Sequence, residues 1–205
     1  MSSLRAMQVS PMADTCIARS ELILGGQKSG KSRRAELLAS RWLATHPTHQ
    51  AVLVATAQPW DEEMRQRIRL HQRDRAERVP GMRTVEEPLN LAEAIGQHSS
   101  PDTLLVVDCL TLWLTNCLMP VDFEQKLPAV LEEQGRVAML IGAIEQAAGP
   151  LVLVGNEIGL GVIPLGAQVR AFVDALGVLN QQVAAQCERV TLMAAGLPLT
   201  LKAPT

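Results

Sequence analysis

The residues best suited to chemistry sit together near the start of the chain. Gly30, Lys31 and Ser32 follow Gly25 after a gap of four residues, giving the spacing G-x-x-x-x-G-K-S over Gly25, Gly26, Gln27, Lys28, Ser29, Gly30, Lys31 and Ser32. Glycines let a backbone fold back so that its N–H groups converge on phosphate oxygens. A lysine at this position reaches the β- and γ-phosphates, and the following hydroxyl can ligate Mg²⁺. A second candidate is Asp108, which ends the apolar run Leu104–Asp108. A carboxylate there can hold Mg²⁺ directly or through water. Alone it is a weak signal, since many strands end in Asp; beside a phosphate loop it gains weight. The third is His71, with Arg67 and Arg75 four residues to either side. On a helix all three share a face with Met64 and Ile68. Two readings stay open: a solvated basic face, or a phosphate-handling helix whose arginines favour neutral, nucleophilic imidazole and neutralise the anion it attacks. His46 and His49 read as polar loop residues, with a metal pair as the unsupported alternative, and His98 as a loop residue without chemical company.

These residues require elements that hold them. Leu22–Leu24 reads as a strand and Arg33–Ala44 as a helix with Ala35, Leu38, Ala39 and Trp42 on one stripe. Such a strand–loop–helix unit aims the helix's positive end at the phosphate. Ala51–Ala57 and Leu151–Val154 are apolar runs of the kind found in buried parallel strands. Ligands of open parallel sheets lie beyond the carboxyl ends of the strands, which brings Thr56, Ala57, Asn156 and Glu157 toward the nucleotide. The segment from Asp61 to Arg75 begins with three acids and ends in arginines, the charge order that favours a helix. Further helices are expected at Leu89–Gln97, Leu110–Leu118, Gln125–Ala148 (interrupted near Gly135) and Ala167–Gln186. A terminal hairpin, Arg189–Ala195 and Leu197–Lys202, turns at Gly196.

Composition narrows the functional classes. The 205 residues suffice for one domain with a substantial core. A net charge of −2 gives no electrostatic case for nucleic acid. With three Trp, two Phe and no Tyr, aliphatic side chains must fill the interior. Cys16, Cys109, Cys117 and Cys187 show no C-x-x-C pair and suit free thiols in a reducing, cytoplasmic setting. No run of 18 uncharged apolar residues occurs, so no membrane span is expected. Residues 1–20 lack a sustained apolar stretch, which argues against a secretory signal, and read as a loosely held extension before a domain at 21–203. Met7 and Met12 are alternative starts.

Several motifs in order resemble the bifunctional adenosylcobinamide kinase/adenosylcobinamide-phosphate guanylyltransferases of cobalamin biosynthesis. They are GGQKSGKS at Gly25–Ser32, ATA at Ala55–Ala57, DEEMRQRIRLH at Asp61–His71 and T-x-E-x-P at Thr84–Pro88. VDCLTLWLTN at Val107–Asn116, NEIGLGVIP at Asn156–Pro164, RAFVDALGVLNQ at Arg170–Gln181 and GLPLTLK at Gly196–Lys202 complete the set. The resemblance implies an α/β, P-loop NTPase fold with a mainly parallel sheet flanked by helices and a C-terminal edge hairpin, assembled as a homotrimer. It implies phosphorylation of adenosylcobinamide with ATP or GTP, then transfer of GMP from GTP through His71 to give adenosylcobinamide-GDP. It also implies nucleotide contacts at Ala55, Thr56, Ala57, Gln72, Arg73, Asp74, Arg75, Glu86 and Asp108, with Ser32 and Asp108 at Mg²⁺. Two positions depart from the family pattern: Met82 stands where a tryptophan is usual, and Val173 where an arginine is. The stretch from Arg73 to Gly81 is also longer than usual. Another P-loop kinase, or a module that holds nucleotide without turnover, is the alternative; neither has a use for a histidine nucleophile.

Overall fold

Leu22, Ile23 and Leu24 are consecutive, and successive strand side chains point to opposite faces. A strand built from them needs cover on both sides. The computed structural model, which describes residues 16–118 and 129–204, supplies it: β1 (Ser20–Gly25) is buried along its whole length. Leu22 and Leu24 face one core layer and Ile23 faces the other.

After the phosphate loop the chain forms α1 (Lys31–Thr45), β2 (Gln50–Ala55), α2 (Glu62–Arg78) and β3 (Arg83–Glu86). It continues through α3 (Leu91–His98), β4 (Thr103–Asp108), α4 (Leu110–Leu118), α5 (Ala129–Gln146) and β5 (Leu151–Val154). It closes with α6 (Ala167–Gln186), β6 (Arg189–Ala194) and β7 (Leu197–Lys202). The sheet runs β3-β2-β4-β5-β1-β6-β7, all pairs parallel except β6–β7. The α/β class, the parallel sheet and the edge hairpin are therefore as expected.

One core layer joins alternate residues of β1, β2, β4 and β5 to Leu91 and Ile95 of α3, Trp113 of α4, Leu140 and Ile144 of α5, and Leu176 and Leu179 of α6. The opposite layer packs Ile23, Leu53, Val106 and Val152 against Ala35, Leu38 and Ala39 of α1. Val79, just past α2, is buried in that second layer and fixes the end of α2 to it. The α1 stripe is the one its spacing predicts, with Trp42 at its half-buried margin.

Three details differ from the sequence reading. β3 arises from Arg83–Glu86, a segment too short and too polar to show a strand pattern, and pairs with Val52–Ala55 of β2. α5 runs unbroken through Gly135. A glycine costs a helix about 1 kcal/mol relative to alanine, and burial of Leu140 and Ile144 in the core outweighs that. The expected start of this helix at Gln125 lies outside the described residues. β1 opens at Ser20, the last residue of the anticipated extension, and Ala18 is already buried. Ile17 packs against the core as well, and residues 1–15 lie outside the described residues. Among the described residues no helix is long and apolar enough to cross a membrane.

Candidate active site

The loop between β1 and α1 needs backbone shapes that side chains resist. Gly25 has φ 151° and Gly30 φ 102°, and a Cβ on Gly25 would lie 2.5 Å from the Met193 carbonyl oxygen and 2.6 Å from Ser29 Oγ. The β6–β7 turn braces the loop from one side: the Gly196 N–H donates to the Ser29 carbonyl at 3.0 Å. The segment after β5 braces it from another, the Glu157 N–H donating to the Gly25 carbonyl at 3.1 Å. Asn156 is fixed in turn by Thr111 Oγ1, which accepts from its N–H at 2.9 Å, and by Asn180 Nδ2, which donates to its carbonyl at 3.1 Å. Asn156 and Glu157 thus stand at the strand ends, as their positions predict.

Lys31 is 8 % exposed, and its Nζ donates to the Gly26 carbonyl at 2.6 Å. Burial lowers its pKa below the ordinary lysine value, with Arg67 adding to the effect and Cys109 and Asp108 opposing it. An ammonium so placed gains from any anion that enters the loop. Ser29 Oγ is buried without a hydrogen-bond partner among the described residues. The Ser32 hydroxyl donates to Asp108 Oδ2 at 2.9 Å, although β1 and β4 are separated in the sheet by β5. A hydroxyl and a carboxylate side by side at a phosphate loop are the hard oxygen donors that Mg²⁺ takes, so these two residues fit that ion.

Thr56 is buried completely, and its polar groups are committed. Its Oγ1 donates to the Cys109 carbonyl and accepts from the Cys109 N–H, both at 2.8 Å, and its carbonyl accepts from Asn116 Nδ2 at 2.8 Å. It holds the ends of β2 and β4 together and so positions Asp108. Ala57 lies further out, in a cleft of about 160 Å³ that also involves Pro59, Arg65, Ile68, Arg69 and Glu86.

α2 starts with an Asp61 cap, whose carboxylate accepts from the Met64 N–H at 2.7 Å, and ends near Arg75 and Arg78, as its charge order predicts. Two features fasten it over the site. Arg78 donates to Glu36 of α1 at 2.9 Å and to Asp74 at 3.3 Å. With the Gln27 amide oxygen turned toward it, Arg67 donates from Nη2 at 2.5 Å and from Nη1 at 3.0 Å. The second contact joins α2 to the phosphate loop itself. Arg75 is buried, donates to Thr84 Oγ1 at 3.4 Å, and feels the charges of Asp108 and Glu36; burial still lowers its pKa overall. His71, between the two arginines, is exposed.

The structure therefore brings Gly25–Ser32, Asp108, Arg67 and Arg75 to one end of the sheet, and His71 lies exposed on α2 between the two arginines. It spreads Gln72–Arg75 around the helix, because four consecutive residues fill a turn. Asp74 and Arg75 lie toward His71, while Arg73 is exposed in a separate groove with Gln66, Arg69 and Leu70. The contacts Gln27–Arg67 and Glu36–Arg78 carry no local sequence pattern, since each joins residues some 40 positions apart. His98 does have a neighbour: Arg83 Nη2 lies 3.3 Å from its Nδ1. His49 stacks on Trp42 at 3.7 Å, and among the described residues no group of three or more His, Cys, Asp or Glu could hold a metal.

Comparison with known proteins places this geometry in context. Residues 21–201 match the family described as cobinamide kinase / cobinamide phosphate guanyltransferase. The chain is 46 % identical over 183 residues to the bifunctional adenosylcobalamin biosynthesis protein CobP of Pseudomonas aeruginosa PAO1, covering 89 % of this chain and 96 % of that protein. It is 33 % identical over 190 residues to the bifunctional adenosylcobalamin biosynthesis protein CobU of Escherichia coli K12, and 33 % identical over 187 residues to that of Salmonella typhimurium LT2. Each match covers 88 % of this chain and 98 % of the relative. Among solved structures, the flagellar accessory protein FlaH of Methanocaldococcus jannaschii superposes with a TM-score of 0.48 at 12 % identity, over 92 % of this chain and 80 % of that one.

Proposed function

The chain belongs to the cobinamide kinase / cobinamide phosphate guanyltransferase family, and from that premise we propose that both of its reactions run at the single phosphate loop described above. In the first, the aminopropanol hydroxyl of adenosylcobinamide attacks the γ-phosphorus of ATP or GTP, giving adenosylcobinamide phosphate and the nucleoside diphosphate. In the second, His71 takes GMP from GTP with release of pyrophosphate and passes it to adenosylcobinamide phosphate, giving adenosylcobinamide-GDP.

The observation that carries this reading is the contact between Gln27 of the phosphate loop and Arg67, one helical turn before His71. It puts a histidine-bearing helix beside the machinery that holds the phosphates. Phosphoryl transfer needs chiefly positioning and charge stabilisation, which Lys31 and the loop N–H groups provide. Guanylyl transfer through a covalent intermediate needs a nucleophile too, and His71 is exposed on the face of α2 that carries Arg67 and Arg75. Glu86, Ala57 and the cleft beside them are proposed to receive the part of the nucleotide beyond the phosphates. Asn156 and Glu157 shape the loop through Gly25.

Ser32 and Asp108 are the residues proposed to hold Mg²⁺, which when bound offsets phosphate charge. Residues 21–203 form the proposed catalytic domain, with 1–20 as its extension. A homotrimer is the proposed assembly; the apolar segment after β5, with Leu160, Val162, Ile163 and Leu165 each more than three-quarters exposed, gives it a surface to bury. Free thiols at Cys109 and Cys187 suit a cytoplasmic location.

The test is direct. Purified protein is incubated with adenosylcobinamide, Mg²⁺ and ATP or GTP, and the corrinoids are followed by mass spectrometry. Adenosylcobinamide phosphate is expected first and adenosylcobinamide-GDP second, the latter only with GTP. Absence of both products refutes the proposal; absence of the second alone refutes the guanylyl half.

A further inference from the structure

Arg67 is the group on α2 that touches the phosphate loop, and the reactions above do not yet assign it a task. Its guanidinium lies within hydrogen-bond distance of Gln27, and its charge is close enough to Lys31 to push that lysine's pKa down. Two cations thus lie beside one loop shaped for phosphate. A polyanion that enters the loop relieves that repulsion at Lys31. His71 stands four residues further along the same face, about 6 Å along the helix axis. A triphosphate bridges that distance. Its β- and γ-phosphates would lie at the loop under Arg67, and its α-phosphate toward His71.

We propose that Arg67 grips the pyrophosphate leaving group while His71 attacks the α-phosphorus, so that α2 reads the triphosphate along its length. This rests on the reading of His71 as nucleophile. The unprotonated imidazole nitrogen supplies the electron pair for the new N–P bond. The bond from the α-phosphorus to the α,β-bridging oxygen breaks, its electron pair leaves on pyrophosphate, and the ring keeps its other N–H. Negative charge builds on the departing bridging oxygen and the β-phosphate. A guanidinium fork suits that charge better than an ammonium, since it can donate two parallel hydrogen bonds. Arg75, buried and shared with Asp108 and Glu36, lacks the same freedom to follow a leaving group.

The consequence separates the two halves of the guanylyl reaction. Forming the His71–GMP adduct expels pyrophosphate; discharging it onto adenosylcobinamide phosphate does not. Arg67 is exposed, so Arg67→Ala leaves the core intact. With α-labelled GTP and rapid quenching, adduct formation in R67A is expected to slow by about 10²-fold or more, with R67K intermediate. Adduct accumulated over a long incubation and freed of nucleotide is expected to pass GMP to adenosylcobinamide phosphate at the native rate. In the reverse direction, it needs about tenfold more inorganic pyrophosphate to regenerate GTP, in keeping with the loss of one charge-assisted contact.

A merely structural role would move His71 with its helix and slow both halves alike. Adduct formation at the native rate in R67A, or equal slowing of both halves, overturns the proposal. Calorimetric binding of inorganic pyrophosphate reads Arg67 without any turnover: weaker binding by R67A supports the proposal, and equal binding overturns it. Wild-type protein that forms no adduct refutes the nucleophile reading, an outcome distinct from either.

Discussion

Replacing Gly25 by alanine tests whether the phosphate loop is held by the geometry described above. Gly25 pairs in register with Met193 of β6, and its φ of 151° is one that side chains rarely adopt. The new methyl group would meet the Met193 carbonyl oxygen at 2.5 Å and Ser29 Oγ at 2.6 Å. The hydroxyl can rotate away, but the carbonyl belongs to the neighbouring strand and cannot. β1 and β6 must part at the point where Gly196 braces Ser29. Backbone strain costs about 1–3 kcal/mol and overpacking about 1–3 more, so G25A should lose roughly 2–6 kcal/mol of stability. In a domain of this size each kcal/mol moves Tm by about 2–4 °C, which sets a fall of at least about 4 °C. The assay is thermal unfolding followed by circular dichroism without nucleotide. Gly26→Ala is the internal control, because a Cβ there meets nothing within 4 Å. G26A should melt with the wild type. Equal melting of G25A and wild type, or equal loss in both variants, would refute the argument.

Other outcomes follow from the same geometry. Lys31→Ala should slow both half-reactions by at least about 10²-fold, since one charge serves both. Only the ammonium form attracts phosphate, and burial puts the Lys31 pKa below 10.5. Nucleotide affinity should therefore fall as pH rises through a range under the ordinary lysine value, and K31R, charged throughout, should flatten that slope in a binding titration. Asp108→Asn keeps the shape but removes the charge beside Ser32; the Mg²⁺ concentration for half-maximal activity should rise about tenfold or more, with little change in Tm. Burial pushes the Cys109 and Cys187 thiols up to about 12, so a thiol reagent near neutral pH should label exposed Cys16 and spare both in the folded protein, as peptide mapping would show.

Much of this arrangement is legible in the chain because it is written locally. Leu22–Ser32 carries its own strand, turn and helix start within a dozen residues, and LLVVD carries a buried strand with its carboxylate. The α2 charge order likewise needs no tertiary information. What stays hidden depends on distant partners. Nothing near Thr56 reveals that its hydroxyl serves Cys109, 53 residues on. Gly196 reads as a hairpin turn, and only the order of β1 and β6 in the sheet shows it bracing Ser29. β3 escapes notice because its four residues acquire strand form by pairing with β2, not by any pattern of their own. The face shared by Arg67, His71 and Arg75 follows from helical spacing, but that Arg67 reaches the phosphate loop depends on Gln27 and on the ion pair between Arg78 and Glu36.

The claim at the centre is that one loop serves two reactions and that His71 belongs to only one of them. The decisive measurement incubates wild-type and His71→Ala protein with GTP labelled in the α-phosphate, and in parallel follows phosphorylation of adenosylcobinamide. Wild type should carry an acid-labile label at His71. H71A should carry none and make no adenosylcobinamide-GDP, yet still phosphorylate adenosylcobinamide at a substantial rate, because the γ-phosphoryl step relies on Lys31 and the loop. H71A protein labelled to the native stoichiometry would contradict the account.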